Sequence, residues 1–170
     1  MQLELPLDLP KIESPMIKLR GFNVVSKYAS DPIIMPSRAT KKSAGYDIYN
    51  QTGADIVLEP GELSKKITTK LSAYMQDDEV LLLYPRSGLG FTYSVRLANT
   101  VGVIDADYNQ SANEGEIFVK LHNQGSERLV IPNGEAFAQG IFTKWLLIDG
   151  DDHNTGADRN GGFGSTTGKK

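Results

Sequence analysis

Residues 159–168 bring an arginine, an aromatic ring, hydroxyl groups and several glycines into one short stretch. The guanidinium of Arg159 can pair with a phosphate as a planar fork, and Phe163 offers a flat face on which a base can stack. Glycine frees the backbone, so consecutive N–H groups can converge on an anion. The same composition is common in solvated termini, so nucleotide binding is one of two interpretations of this stretch alone.

A second candidate anion site lies in residues 85–90, directly after an apolar run. Arg86 offers a positive charge, Ser87 a hydroxyl, and Gly88 allows a ligand to approach the backbone closely. An ordinary turn with a surface arginine has the same residues. This segment therefore indicates a phosphate site only in combination with others.

Residues 99–108 form an apolar segment that ends in two aspartates and a tyrosine. We interpret it as a hairpin whose end presents Asp105, a carboxylate that can orient and deprotonate a water molecule. Tyr108 can stack on a sugar, and the amide of Asn99 can read the edge of a base. The alternative is that the asparagine and the aspartates cap turns, which is their commonest role.

Two further segments place a polar side chain beside apolar residues. Asp47, within residues 44–48, offers a second carboxylate next to an aromatic ring. Gln139 lies inside the apolar run 136–142, and a buried amide needs hydrogen-bond partners from the protein or from a ligand. Taken singly, each has a structural explanation.

Short strands must position these residues, because no stretch of a dozen residues keeps a convincing 3.6-residue apolar period. Apolar residues alternate with polar ones or form short runs that end at turn signals. The predicted strands are 16–19, 56–58, 67–71, 80–84, 117–121 and 136–142. The continuous run 80–84 predicts a strand buried on both faces. Many short strands with frequent turns predict an all-β sandwich or jelly roll.

Length and composition indicate one domain with two tails. The chain has 170 residues, of which 39% are hydrophobic, and it has eight prolines and 17 glycines. We expect an extended N-terminal arm (1–15), a β domain (16–150) and a flexible C-terminal arm (151–170), because the two ends are rich in proline or glycine.

Charge and residue usage exclude several classes of function. The net charge of −3 argues against a protein that coats nucleic acid. There is no cysteine, and His122 and His153 lack the spacing of metal ligands, so we expect no metal held directly by the protein. No segment approaches the roughly 20 apolar residues of a membrane span, and the N-terminus does not resemble a secretion signal. We therefore expect a cytoplasmic protein.

Together, and in this order, the segments resemble the five motifs of the trimeric deoxyuridine triphosphate nucleotidohydrolases, the dUTPases. The matching segments are 43–48, 85–90, 99–108, 134–139 and 161–166, and the resemblance covers residues 16–168. It implies a distorted β jelly roll that forms a homotrimer with exchanged C-terminal arms and three active sites between subunits. It also implies hydrolysis of dUTP to dUMP and pyrophosphate, with Mg²⁺ carried on the triphosphate. Such an enzyme limits uracil in DNA and supplies dUMP for dTMP synthesis.

The resemblance assigns the nucleoside end of the site to the hairpin. Asp105 would hold the water that attacks the α-phosphorus and would also contact the 3′-hydroxyl. Asn99 would read uracil together with neighbouring backbone groups, and Tyr108 would pack under the deoxyribose and exclude a 2′-hydroxyl. The backbone groups are those of Gly102, Val103 and Ile104.

The phosphate end is assigned to the other motifs. Arg86, Ser87 and Gly88 would hold phosphates, with Gln139 beside the α-phosphate. Asp47 would act on the phosphate and water side, through waters around the metal. In the tail, Phe163 would stack on uracil. The groups implied to close over the γ-phosphate are Arg159, Gly164, Ser165 and Thr166.

Two features depart from the family pattern. The arginine that usually stands five residues before the tail phenylalanine is replaced by Asp158, and Arg159 lies one position later. The second departure follows Tyr108, where residues 109–114 precede the usual Gly-Glu pair. We expect these six residues to form a longer surface loop that leaves the hairpin unchanged.

The N-terminal arm and the regulatory class of function leave alternatives open. Residues Gln2 to Leu7 resemble the short peptides by which bacterial proteins bind the DNA polymerase sliding clamp, although a disordered or trimer-packing arm is the alternative. The related dCTP deaminases share the fold, and some phage dUTPases act as switches by binding a repressor. The apparent catalytic set favours hydrolysis, in a bacterial or phage-infected cell.

Overall fold

The computed structural model describes residues 17–151, and antiparallel β-strands dominate this region. The strands are β1 Gly21–Val24, β2 Tyr46–Tyr49, β3 Ile56–Leu58, β4 Ile67–Thr68, β5 Leu71–Tyr74, β6 Glu79–Pro85, β7 Val95–Leu97, β8 Gly102–Asp105, β9 Phe118–Val119, β10 Leu121–Asn123, β11 Leu129–Ile131 and β12 Ala136–Lys144. One α-helix, α1 (Ser87–Tyr93), and two 3₁₀ turns, Ser26–Tyr28 and Ala106–Gln110, complete the described elements. No helix among them is long and apolar enough to cross a membrane.

Four strands form the largest sheet, in the order β2-β12-β6-β8, and four two-stranded pairs surround it. The smaller pairs are β1-β5, β7-β10, β3-β11 and β4-β9, and every pair is antiparallel. The long strand β12 pairs with β2 on one side and with β6 on the other. The predicted all-β jelly roll is confirmed.

The core forms where apolar residues alternate along the strands. In β6, Leu81 and Leu83 are fully buried, whereas Leu82 between them is half-buried. Burial of β6 on both faces was expected, but within a single chain only one face of this strand is fully buried. The largest buried apolar side chains are Ile48, Leu58, Leu71, Leu81, Leu83, Ile117, Leu121, Leu129 and Phe137.

The predicted strand at 16–19 is wrong for its described part, because residues 17–19 form no strand and β1 begins at Gly21. Ile17 is 81% exposed, so this apolar residue does not reach the core. The segment is instead held through Arg20, whose Nε donates to Glu79 Oε1 at 2.9 Å. A short apolar alternation does not specify a strand unless a partner edge is available.

Two predicted strands are each split into two. Lys70 has a positive φ of 62° and separates β4 from β5, while Lys120 separates β9 from β10. At the first break, the hydroxyl of buried Thr69 donates a hydrogen bond to the backbone carbonyl of Ile117 at 2.9 Å. The buried, apolar positions were predicted correctly, but the local change of direction was not.

Helix α1 was not predicted, because its seven residues are too few to establish a helical period. Arg86 is extended and precedes the helix, and Ser94 ends it in the left-handed conformation at φ 53°. The segment predicted as a turn after a strand is thus the beginning of a short helix.

Candidate functional site

The sheet brings three of the predicted phosphate-side residues together. Gln139 of β12 lies opposite Asp47 of β2, and its other neighbour in register is Tyr84, near the end of β6. Arg86 directly follows β6, and its Nε lies 3.2 Å from Asp47 Oδ1. Residues that are distant in the sequence therefore meet at one end of the sheet because β12 pairs with both β2 and β6.

Backbone contacts orient the amide of Gln139. Its Nε2 donates to the carbonyl oxygen of Pro85 at 3.2 Å, so the side chain is held against the end of β6. Gly45 makes this arrangement possible, because a Cβ at position 45 would overlap Gln139 Oε1. The glycine of this motif was not predicted as a site residue, and its close contact with Gln139 emerges only from the packing.

Ser87 and Gly88 lie in the first turn of α1, beside Arg86. Arg86 is 40% exposed at its side chain, whereas its partner Asp47 is only 14% exposed. The carboxylate thus orients a guanidinium that still reaches solvent. A groove beside the helix is completed by β11 and by the turn before β12. An anion in this groove would meet a cation, a hydroxyl and the exposed backbone of a helix start.

A second pocket lies at the turn between β7 and β8. Thr100 has φ 67°, and its N–H donates to the carbonyl of Leu97 at 3.0 Å, which reverses the chain tightly. Five of the predicted nucleoside residues line this pocket, namely Asn99, Gly102, Val103, Ile104 and Tyr108, whereas Asp105 borders a different cleft. The lining is mostly apolar with an amide at its edge, which suits a flat polar base. Phe118 also lines it and was not predicted.

Tyr108 is a buried wall of the pocket, with 4% exposure. Its hydroxyl donates to the carbonyl oxygen of Glu116 at 2.9 Å and accepts from Asn113 Nδ2 at 3.1 Å. The six additional residues after Tyr108 were expected to form a surface loop, and this is wrong in part. Ser111 is only 5% exposed, and residues 114 and 115 close the segment with positive φ angles.

A buried carboxylate anchors the segment that follows Tyr108. The side chain of Glu116 is 1% exposed and accepts hydrogen bonds from Lys27 Nζ and Thr68 Oγ1 at 2.6 Å each, and from Tyr28 Oη at 3.0 Å. Burial acts to raise the pKa of Glu116, but these three donors outweigh it and lower the pKa below its ordinary value. The glutamate is therefore ionised and holds the 3₁₀ turn Ser26–Tyr28 against the pocket wall.

Asp105 ends β8 and lies opposite Val80, near the beginning of β6. Asp105 borders a cleft that other carboxylates and Trp145 also line. This cleft lies at the opposite end of β6 from the phosphate residues. Arg86 follows the other end of β6, six residues from Val80, so about 20 Å of strand separates the two. Within one chain, the predicted water-activating carboxylate and the predicted phosphate residues do not meet.

The predicted tail residues lie outside the described residues. They are Arg159, Phe163, Gly164, Ser165 and Thr166. The N-terminal arm, with residues Gln2 to Leu7, also lies outside them. In the part of the chain that is described, no three His, Cys, Asp or Glu side chains are grouped so that they could hold a metal ion.

The dUTPase family model matches residues 31–167 of this chain. A deoxyuridine 5′-triphosphate nucleotidohydrolase of Lactococcus lactis is 46% identical over 151 residues, which cover 88% of this chain and 99% of that protein. A deoxyuridine 5′-triphosphate nucleotidohydrolase of Hahella chejuensis is 36% identical over 84% of this chain and 93% of that protein. The crystal structure of a Streptococcus mutans dUTPase superposes with a TM-score of 0.66 at 38% identity, over 76% of this chain and 99% of the other. The dUTPase of Staphylococcus aureus phage phi11 has the same fold. It is 21% identical and superposes with a TM-score of 0.61 over 79% of this chain and 96% of the other.

Proposed function

This chain belongs to the dUTPase family and hydrolyses dUTP, and we propose that a water held by Asp105 attacks the α-phosphorus and releases pyrophosphate. The observation that supports this reading best is the pocket at the β7–β8 turn. It joins Asn99 and Tyr108 to an apolar slot that opens beside the strand ending in Asp105. Dehydrated surroundings and a positioned carboxylate are what general-base catalysis of hydrolysis requires.

We infer that uracil occupies the apolar slot. The amide of Asn99 offers both a donor and an acceptor to the polar edge of the base, and the backbone from Gly102 to Ile104 offers more. Gly102 packs so tightly on β6 that a Cβ there would lie 2.9 Å from Leu83 Cβ. The backbone of β8 thus lies close against β6, and we infer from the family resemblance that the hairpin leaves no room for the 5-methyl group of thymine. Tyr108 then packs against the deoxyribose.

The phosphates are assigned to the cluster at the end of β6 that lies away from Asp105. Arg86 supplies positive charge, Ser87 and Gly88 supply the start of α1, and Gln139 supplies an oriented amide. Mg²⁺ carried on the triphosphate would neutralise part of the substrate's charge. Asp47 is half-buried beside Arg86 and orients its guanidinium. We infer that this carboxylate also accepts hydrogen bonds from the water molecules that would surround the metal ion. Charge neutralisation and positioning are the main needs of phosphoryl transfer.

We propose that the chain is a homotrimer in which one subunit provides the nucleoside pocket and a neighbour the phosphate cluster. The separation of about 20 Å along β6 between Asp105 and Arg86 supports this, because within one chain the water-activating carboxylate does not reach the phosphate cluster. An apolar surface lies next to Asp105, where Val103 is 59% exposed and Trp145 is 41% exposed. A neighbouring subunit would bury such a surface.

We also propose that residues 151–170 close over the site as a lid. In this proposal Phe163 stacks on uracil, while Arg159, Ser165 and Thr166 contact the γ-phosphate. A lid would exclude water once the substrate is bound, which strengthens the electrostatic interactions inside. Removing residues 158–170 should leave the β domain folded and nearly abolish hydrolysis. A full rate from the truncated protein would contradict the lid.

The decisive assay measures pyrophosphate release from dUTP, dTTP, UTP and dCTP. We expect strong preference for dUTP, and Asp105→Asn should lower kcat by about 10²–10⁴-fold with little change in dUTP binding. Asp107→Asn is the matched control, because this exposed carboxylate lies two residues away. Ammonia release from dCTP would instead indicate the deaminase alternative. Near-normal turnover of Asp105→Asn would remove Asp105 from the mechanism.

For the N-terminal arm we propose binding to the DNA polymerase sliding clamp, in the cytoplasm of a bacterial or phage-infected cell. The support is the pattern of a glutamine followed by spaced leucines from Gln2 to Leu7, which suits insertion of apolar side chains into a groove. The double substitution Gln2→Ala with Leu5→Ala should abolish retention on an immobilised clamp. Retention equal to that of the wild type would end this proposal.

A further inference from the structure

Three residues of the segment after Tyr108 make direct contacts with this tyrosine, and we call Ser111, Asn113 and Glu116 the Tyr108 brace. Ser111 Oγ donates to the Tyr108 carbonyl oxygen at 2.6 Å, and Asn113 Nδ2 donates to the Tyr108 hydroxyl at 3.1 Å. The carbonyl oxygen of Glu116 accepts the hydroxyl proton at 2.9 Å. The tyrosine is therefore held at its backbone and at the far end of its ring.

Asn113 belongs to the six residues that distinguish this chain from the shorter family pattern. Ser111 Oγ also lies 2.6 Å from Asn113 Oδ1, and its single proton is shared between this oxygen and the Tyr108 carbonyl. The Tyr108 hydroxyl donates its own proton to the carbonyl oxygen of Glu116, so it can only accept from Asn113, and the NH₂ group is the end of the amide that donates. The orientation of Asn113 thus follows from the hydrogen bond between the Tyr108 hydroxyl and Glu116.

The brace is itself tied to a distant part of the chain. The carboxylate of Glu114 accepts the backbone N–H of Ser26 at 3.0 Å, and buried Glu116 accepts the ammonium of Lys27. Gly115 between them allows the sharp closure, because a Cβ there would lie 2.6 Å from Asn109 Cα. The segment is consequently folded back and packed against the pocket wall.

We propose that Asn113 is a positioning residue that, through the Tyr108 hydroxyl, sets how strongly the enzyme rejects ribonucleotides. This inference rests on the proposed function, in which the Tyr108 ring packs against the sugar. An apolar pocket discriminates weakly against an added hydroxyl by solvation alone. Rejection of a 2′-hydroxyl therefore needs a wall that does not yield, and the brace prevents the ring from shifting by the fraction of an ångström that the extra oxygen needs.

The test compares kcat/KM for dUTP and UTP in the full-length enzyme and in Asn113→Ala. We expect the dUTP:UTP selectivity ratio to fall by about 5- to 10-fold, a difference of roughly one kcal/mol in relative transition-state binding, chiefly because UTP is accepted better. Asn23→Ala, at an exposed asparagine of β1, is the matched control and should keep the ratio. Should Asn113→Ala fold poorly, Asn113→Ser is too short to reach the hydroxyl and serves instead.

A double-mutant cycle shows whether the effect passes through the tyrosine hydroxyl. In a Tyr108→Phe background, Asn113→Ala should change the selectivity ratio by less than about twofold, because the bond it removes is already absent. An unchanged ratio in the single variant, or an equal fall in both backgrounds, would overturn the proposal. Wild-type enzyme that does not hydrolyse dUTP would instead overturn the proposed function, so the two failures are distinguishable.

Discussion

The two ends of the proposed site are built by different means. At the phosphate end, Asp47, Arg86 and Gln139 meet because β12 pairs with β2 and β6, so the backbone ladder positions them. At the nucleoside end, Tyr108 lies in a segment of turns, and its hydroxyl is held by the backbone carbonyl of Glu116 and the side-chain amide of Asn113. A ladder tolerates the loss of a side chain, whereas a side-chain network does not. Substitutions at the nucleoside end should therefore affect folding as well as activity.

The largest expected effect on stability is at Glu116, which anchors the nucleoside end. Glu116→Ala removes the acceptor of three donors and leaves the hydroxyls of Thr68 and Tyr28 without it. The free energy of unfolding should fall by about 3 kcal/mol. This is the low end of the range for breaking a buried ion pair, because Lys27 can turn to solvent. Urea unfolding measures it. Glu114→Ala, whose carboxylate is exposed, should lose much less, and equal losses would contradict the buried network.

At the phosphate end, Arg86→Ala should reduce activity without loss of the fold. The substitution removes positive charge from the phosphates and releases Asp47, and we expect kcat/KM for dUTP to fall about 10²–10³-fold. Thermal unfolding should change little, since Arg86 is partly exposed and β6 keeps its ladder. Arg128→Ala, which breaks an exposed pair with Glu59, is the control. A large loss of stability in Arg86→Ala would contradict the distinction between the two ends.

A smaller effect is expected for Gly45→Ala. The added methyl group overlaps Gln139 Oε1 and should turn the amide away from the carbonyl of Pro85. We expect about a tenfold loss in kcat, because positioning of one uncharged donor is affected. Ala44→Ser is the control, because it changes the adjacent exposed residue without entering the cluster. Gly53→Ala is not suitable, since φ at Gly53 is 87° and a side chain there adds backbone strain. Normal turnover in Gly45→Ala would show that Gln139 needs no fixed orientation.

The smallest expected effect is a pH dependence at the nucleoside end. The pKa of Glu116 is lowered in the folded protein, so its contribution to stability is complete above the ordinary glutamate value of 4.5 and is lost as the pH falls through the folded-state pKa. Measuring unfolding against pH in the wild type and in Glu116→Gln should show a shallower acid slope for the variant. Parallel slopes would assign the acid sensitivity to other groups, such as Glu79, whose pKa is lowered by Arg20.

The same contrast explains which parts of the site were predictable. Short strands with alternating apolar residues, and polar side chains at their ends, are patterns within a few residues of each other, so the hairpin residues and Arg86 could be proposed directly. Helix α1 was missed because seven residues carry no period. The brace was missed because Asn113 and Ser111 are ordinary loop residues whose partners appear only once the segment folds back on Tyr108.

The amino-acid sequence by itself determined the β class of the fold, the order of the five motifs and the chemical groups available to hold a nucleotide, because these depend on residue type and local spacing. The tertiary structure decided how those groups are distributed. It separated Asp105 from Arg86 by the length of β6, placed Gly45 directly against Gln139, and buried Glu116 beside Tyr108. Each of these depends on which distant strands pair, and strand pairing is set by packing of the whole domain.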